Sequence, residues 1–279
     1  MTLNFKPALS RLCRNRNMRL TALGIAAAGL GACSLVGVVA KEGALSLTER
    51  RGLQSFTLAG DLPANFGLTV TAWYYPVDVD ALNCQTDNFY TGKQQPRYRG
   101  KRHDIPVEPV AKRSERKIPL KHYIGACEMN LVKVKMEIDG RFGEQPHQYA
   151  YANSIFYVHD SPDRATDNFD DKGHLQVDAR CTWLFLESKL DLELSKLLTC
   201  QGAGANLKLD QLPGKSVTLA VAVNPEERPY YKDTWIKFPN GWKPCKAEGN
   251  DWIWCKTPPT FQTFKMNGQT CTVYPGCTE

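Results

Sequence analysis

The sequence is poor in the patterns that chemistry needs. Its five histidines, His103, His122, His147, His159 and His174, stand far apart. It has no His-Glu-x-x-His, no Gly-x-Ser-x-Gly elbow, no phosphate-binding Gly-rich loop with a Walker-type lysine and no Cys-x-x-Cys pair. Zinc hydrolase, α/β-hydrolase and nucleotide-binding signatures are therefore missing. Nothing in the order of residues assembles a Ser-His-acid triad. The expectation is a protein that binds rather than catalyses, without a cofactor or a metal.

Acidic residues are also missing from one place: none precedes Glu42, and no charge of either sign lies between Leu20 and Ala40. The formal net charge is +6, but Lys6, Arg11, Arg14, Arg16 and Arg19 are five of the 35 bases, which leaves 30 against 29 acids in the remainder. A nearly neutral body argues against global attraction to nucleic acid and leaves only local patches to consider.

A basic start followed by an uncharged run has the order of a secretory signal. Within the run, Leu30-Gly31-Ala32-Cys33 resembles the lipobox of bacterial lipoproteins, in which the cysteine is lipidated before cleavage. The resemblance implies an N-terminal lipid, such as palmitate, on Cys33. Ser34 after it implies sorting to the outer membrane, facing the periplasm. The competing reading is an uncleaved anchor helix, since 21 uncharged residues at ~1.5 Å each would reach about 31 Å. Five of them are Gly or Thr, a weak composition for a membrane helix. Both readings place the rest of the chain outside the cytoplasm. Residues 1–33 are thus expected to be a signal peptide and 34–55 a membrane tether, followed by a β-sandwich region over 56–240 and a Cys-rich appendage over 241–279.

With Cys13 and Cys33 set aside, eight cysteines remain: Cys84, Cys127, Cys181, Cys200, Cys245, Cys255, Cys271 and Cys277. Eight allow 105 connectivities. Their spacing falls into successive couples, so the expectation is 84 with 127, 181 with 200, 245 with 255 and 271 with 277, in an oxidising compartment.

Several segments alternate apolar and polar residues with the period of a half-buried strand. Val132, Val134, Met136 and Ile138 alternate with Lys133, Lys135, Glu137 and Asp139, and the run is expected to stop at the turn pair Asp139-Gly140. Leu175, Val177, Ala179, Cys181, Trp183 and Phe185 share one face. Shorter runs over 68–75, 154–158 and 216–223 are rich in β-branched or aromatic residues. Leu186 to Leu198 has leucines at both strand and helix spacing and is expected to be a strand followed by a short helix. The fold class is all-β: an antiparallel β-sandwich, single or tandem, with a disulfide-stapled C-terminal tail.

Three clusters are candidate sites. Asp160, Asp163, Asp167, Asp170 and Asp171, with Gly173, gather carboxylates without the spacing of an EF-hand, and read as a solvated connection. Arg97, Arg99, Lys101, Arg102, Lys112, Arg113, Arg116 and Lys117 crowd a stretch between Cys84 and Cys127 that reads as a long loop tied at its base. Such a loop would offer guanidinium forks to carboxylates of a partner or to lipid phosphates, although Asp104, Glu108 and Glu115 interrupt it. Aromatics gather late, with Tyr230, Tyr231, Trp235, Phe238, Trp242, Trp252 and Trp254. Arg97, Arg99, Arg102, Arg113, Arg116, Trp235, Trp242, Trp252 and Trp254 are therefore the partner-binding candidates, because such side chains dominate interface hot spots; most of the aromatics are expected to fill core.

The run from Pro229 through Tyr230-Tyr231-Lys232-Asp233-Thr234-Trp235 and Asn240-Gly241-Trp242 to Cys245 resembles a signature of a family of proteobacterial lipoproteins. So does the ending from Met266-Asn267-Gly268 through Cys271 to Pro275-Gly276-Cys277. That family is found beside type VI secretion phospholipase effectors, and the resemblance implies an immunity protein. A secreted lipase effector would then be its partner, blocked at the membrane face. The alternative is a structural or assembly lipoprotein of an envelope complex.

Overall fold

The computed structural model describes residues 43, 45, 47–88, 90–188, 193–246 and 254–278. The lipobox, Cys33, Ser34 and Trp252 lie outside the described residues. Among the described residues, nineteen strands follow in chain order. They are β1 (Glu49–Arg51), β2 (Ser55–Leu62), β3 (Phe66–Pro76), β4 (Gln85–Asp87), β5 (Gln94–Pro96), β6 (Arg99–Glu108), β7 (Lys112–Pro119), β8 (Lys121–Ile124), β9 (Cys127–Arg141) and β10 (Tyr149–His159). They continue with β11 (His174–Glu187), β12 (Leu194–Gln201), β13 (Ala205–Lys208), β14 (Ser216–Val223), β15 (Arg228–Pro229), β16 (Trp235–Phe238), β17 (Gly241–Pro244), β18 (Phe264–Met266) and β19 (Gln269–Cys271). No helix among the described residues is long and apolar enough to cross a membrane.

The strands form an all-β sandwich. In one sheet, β9 is flanked by β3 and then β6 on one side, and by β8–β1 and β10–β13 on the other. The second runs β12–β11–β14–β2–β7. Antiparallel pairs dominate, with parallel pairing of β11 to β14, β14 to β2 and β10 to β13. One core lies between the sheets, built from inward residues of both: Phe56 and Leu58 on β2, Val70 on β3, Met136 and Ile138 on β9, Phe156 on β10, Val177 on β11 and Leu219 on β14. A single shared core makes the region one sandwich rather than a tandem pair.

The alternation read in β9 is present but slips by one residue. Cys127, Met129 and Leu131 are buried, and then Val134, Met136 and Ile138. The register to β3 shifts where Trp73 faces Lys133 and Tyr74 faces Leu131. Val132 is the extra residue of this bulge and does not share the inner face expected for it. Nor does the strand turn at Asp139-Gly140. It runs on to Arg141 because Gly140 faces inward, where a Cβ would sit 2.8 Å from the Trp183 ring. Glycine is needed there for close packing, not for a turn.

The short helix expected before Leu198 is not formed over the described part of that segment. Residues 194–201 are strand β12, paired to β11 with Cys181 opposite Cys200. All four expected disulfides are present: Cys84–Cys127, Cys181–Cys200, Cys245–Cys255 and Cys271–Cys277. Two hairpins, β16–β17 across the 240/241 boundary and β18–β19 within residues 241–279, surround a second small core of Phe185, Trp235, Phe264, Cys271 and Tyr274. Phe185 comes from β11, so the stapled tail packs on the end of the sandwich. Tyr274 Oη donates to Glu227, which also takes Lys196 Nζ at 2.8 Å.

Candidate functional site

The basic stretch between Cys84 and Cys127 is not a loop. It supplies β6 and β7, which leave a short connection into different sheets, β6 pairing with β3 and β7 with β2. Each borders its sheet on one side among the described strands. Such edges are natural places for charge, which keeps them from pairing with another copy.

Four strand steps separate β6 from β1 across the first sheet, about 19 Å if it were flat. Yet Arg99 of β6 grips Glu49 of β1 with both arms of its fork, Nε to Oε1 at 2.8 Å and Nη2 to Oε2 at 3.1 Å. The sheet therefore curls until its two edges meet through side chains instead of a backbone ladder. Lys101 Nζ reaches Glu49 Oε2 at 2.6 Å, and His122 Nε2 lies 2.5 Å from Oε1. The Arg99 fork holds the Glu49 carboxyl far below the usual carboxylate range, with Lys101 and His122 adding to it against the opposing effect of burial. Burial pushes His122 down, partly offset by Glu49. A neutral His122 therefore donates its Nε2–H to an ionised Glu49, which has only acceptors.

Beside this seam is a cavity of about 140 Å³ lined by Arg51, Lys101, His103, Tyr74, Ile118 and His122 among others. Lys101 and His103 stand opposite Ala72 and Val70 of β3 and share their inward face. Tyr74 Oη donates to the Pro119 carbonyl at 2.9 Å, which ties the first sheet to the end of β7. Burial lowers the His103 pKa, and the cations of Arg116 and Arg51 lower it further. Arg51 and Arg116 have no carboxylate partner among the described residues. The arrangement is suited to taking an anion.

The remaining candidates are scattered. Arg97 is buried, its Nη2 donating to the Gln85 carbonyl at 3.1 Å, and Trp235 is buried in the small core. Neither presents a side chain to a partner. Arg102 pairs with Asp104 and Arg113 with Asp61 and Glu115, all at the surface. Trp242 is half-buried against Phe185, and Trp254 is exposed. In the acidic connection, Asp167 accepts the Asn206 N–H, and Asp170 accepts those of Lys172 and His174, so these carboxylates fix backbone. No group of three or more His, Cys, Asp or Glu among the described residues is arranged to hold a metal ion. His174 Nδ1 lies 2.9 Å from Ser216 Oγ, but Asp170 meets the His174 backbone rather than its ring.

Sequence reasoning missed Glu49, placed in the tether, because nothing local marks a contact made 50 residues away. It also missed the outer face of the first sheet. There Tyr149, Tyr151 and Tyr157 of β10 are exposed, and Trp73 stacks on Tyr98 with centroids 4.7 Å apart. The alternation of Tyr149 and Tyr151 with Ala150 and Ala152 was the available signal. No protein-family model matches this chain, and neither a curated protein nor a solved structure matches it.

Proposed function

We propose that this chain is a non-enzymatic exported protein that binds and neutralises a toxic effector at the periplasmic face of the envelope. The effector is a phospholipase of the kind delivered by type VI secretion. The observation that carries the reading is the lateral side of the sandwich, where the basic stretch lies on two edge strands from two different sheets. That side offers exposed Arg116 and Lys117 together with strand edges, while Arg102 and Arg113 are already answered by Asp104, Asp61 and Glu115. Edges can accept a partner's extended segment, and basic forks can meet its carboxylates. Four disulfides fit an oxidising compartment. A lipid on Cys33 would concentrate the inhibitor on the membrane that a phospholipase attacks.

The test is affinity capture from cells that express the tagged chain in the periplasm together with candidate effectors, with the bound proteins identified by mass spectrometry. Recovery of a lipolytic enzyme, and loss of its activity on vesicles when the chain is added, is the expected result. Repeated recovery of envelope assembly machinery without any lipase would overturn the reading in favour of an assembly lipoprotein.

A further inference from the structure

We propose that the cavity at the curled seam, walled by Arg51, Lys101 and His103, is a binding site for a phosphate group. This goes beyond the reading above, because it concerns a small oxyanion and holds whether or not the chain blocks an effector. The cavity measures about 140 Å³, several times the ~30 Å³ that one water occupies in the liquid. Its floor is apolar, with Ala72 and Ile118, and its wall is cationic.

The groups around His103 can be counted strand by strand. Arg51 comes from β1, Lys101 and Asp104 from β6 itself, and Arg116 from β7. Tyr74 of β3 and His122 of β8 line the same cavity. Asp104 is engaged by Arg102 at 2.8 Å and by the Thr69 hydroxyl at 3.0 Å. Glu49 answers Arg99 and Lys101. Arg51 and Arg116 remain without a described carboxylate, so the cavity carries uncompensated positive charge.

Glu49 also shows what this seam accepts: a carboxylate held by one guanidinium fork, one ammonium and one imidazole. A phosphate offers more oxygens to the same kinds of donor, and the fork of Arg51 suits it. A lipid headgroup and free phosphate present the same oxygens, so the chemistry is common to both.

The test follows the His103 ring proton by NMR in the disulfide-intact chain. Inorganic phosphate is added at constant ionic strength against sodium chloride, and His103→Gln identifies the resonance. A saturable shift is expected, with the His103 pKa moving back up as the bound anion offsets Arg51 and Arg116. Arg51→Gln should weaken binding about tenfold or more, since a hydrogen bond to a charged group is lost. Arg51 is exposed, so the variant should keep the wild-type melting temperature. A response no larger than that to chloride, or one undiminished in Arg51→Gln, overturns the proposal. Co-sedimentation with phosphatidylcholine vesicles containing phosphatidylglycerol then separates the sources. Arg51-dependent sedimentation assigns the headgroup, and saturable phosphate binding without sedimentation assigns the free anion. Lys117, which carries the effector test, neither lines the cavity nor stands among the charges that act on His103, so the two readings fail separately.

Discussion

Glu49→Gln removes the carboxylate that, among the described residues, joins the two edges of the curled sheet, while keeping shape and volume. The glutamine leaves Arg99, Lys101 and His122 around a neutral amide. An exposed ion pair contributes about 0–1 kcal/mol, and breaking a buried one costs about 3–5 kcal/mol. The Glu49 side chain is 16% exposed, against 39% for Arg99, 30% for Lys101 and 2% for His122, so the site lies between these limits. The expected loss is about 2–3 kcal/mol, intermediate between those ranges. For a domain of this size that lowers the melting temperature by about 4–12 °C. The sign of the pH effect follows from the depressed Glu49 pKa. A carboxylate lowered on folding contributes stability that is complete above its unfolded pKa of ~4.3 and is lost as pH falls below it. Wild-type stability should therefore fall more steeply than that of Glu49→Gln from about pH 5 downward. Urea unfolding of the disulfide-intact protein at pH 7, 5 and 3 measures both. A variant within 0.5 kcal/mol of wild type, with a parallel pH profile, would refute closure of the seam by Glu49.

The other expectations concern packing, the disulfides and the histidines. Gly140→Ala should cost about 1–3 kcal/mol by crowding Trp183, measured by thermal unfolding, and a neutral result would mean that the ring moves aside freely. Removing Cys84–Cys127, which closes 43 residues, should cost about 4 kcal/mol, and removing Cys271–Cys277, which closes six, about 2 kcal/mol. Urea midpoints of the two double-alanine variants should rank in that order. His122 and His103 both have lowered pKa values, so each contributes stability that is present above ~6.5 and lost as pH falls toward its folded value. NMR titration should find both rings titrating below a free histidine, and a His122 that titrates at or above the free value would contradict its burial.

Strands were legible in the sequence wherever one face met the core. β11 and β14 alternate or run apolar because Val177, Ala179, Val217 and Leu219 all enter one core, and a period of two follows directly. The bulge in β9 was not legible. Val132 is as apolar as Val134, and only the pairing with β3 decides which of them points inward. β6 read as a loop because its inner face at Arg99, Lys101 and His103 meets a cavity and a carboxylate instead of hydrophobic side chains. Its alternation therefore carries no apolar signal. β12 read as part helix because its leucines fit both periods, and the tie of Cys200 to Cys181 settles the matter through a partner strand. The cysteine couples were readable because each bridge joins cysteines that follow one another in the chain. The seam was hidden for the opposite reason: its parts, residues 49–51, 99–103 and 122, come together only when the sheet curls.

The most direct test of the binding role is periplasmic capture by the wild-type chain and by Lys117→Glu. The Lys117 side chain is exposed on β7, and reversing its charge should leave the fold and its melting temperature unchanged. The account predicts that wild type retains a lipolytic effector and that the reversed edge loses it. Equal capture by both chains, or capture of envelope machinery alone, would contradict it.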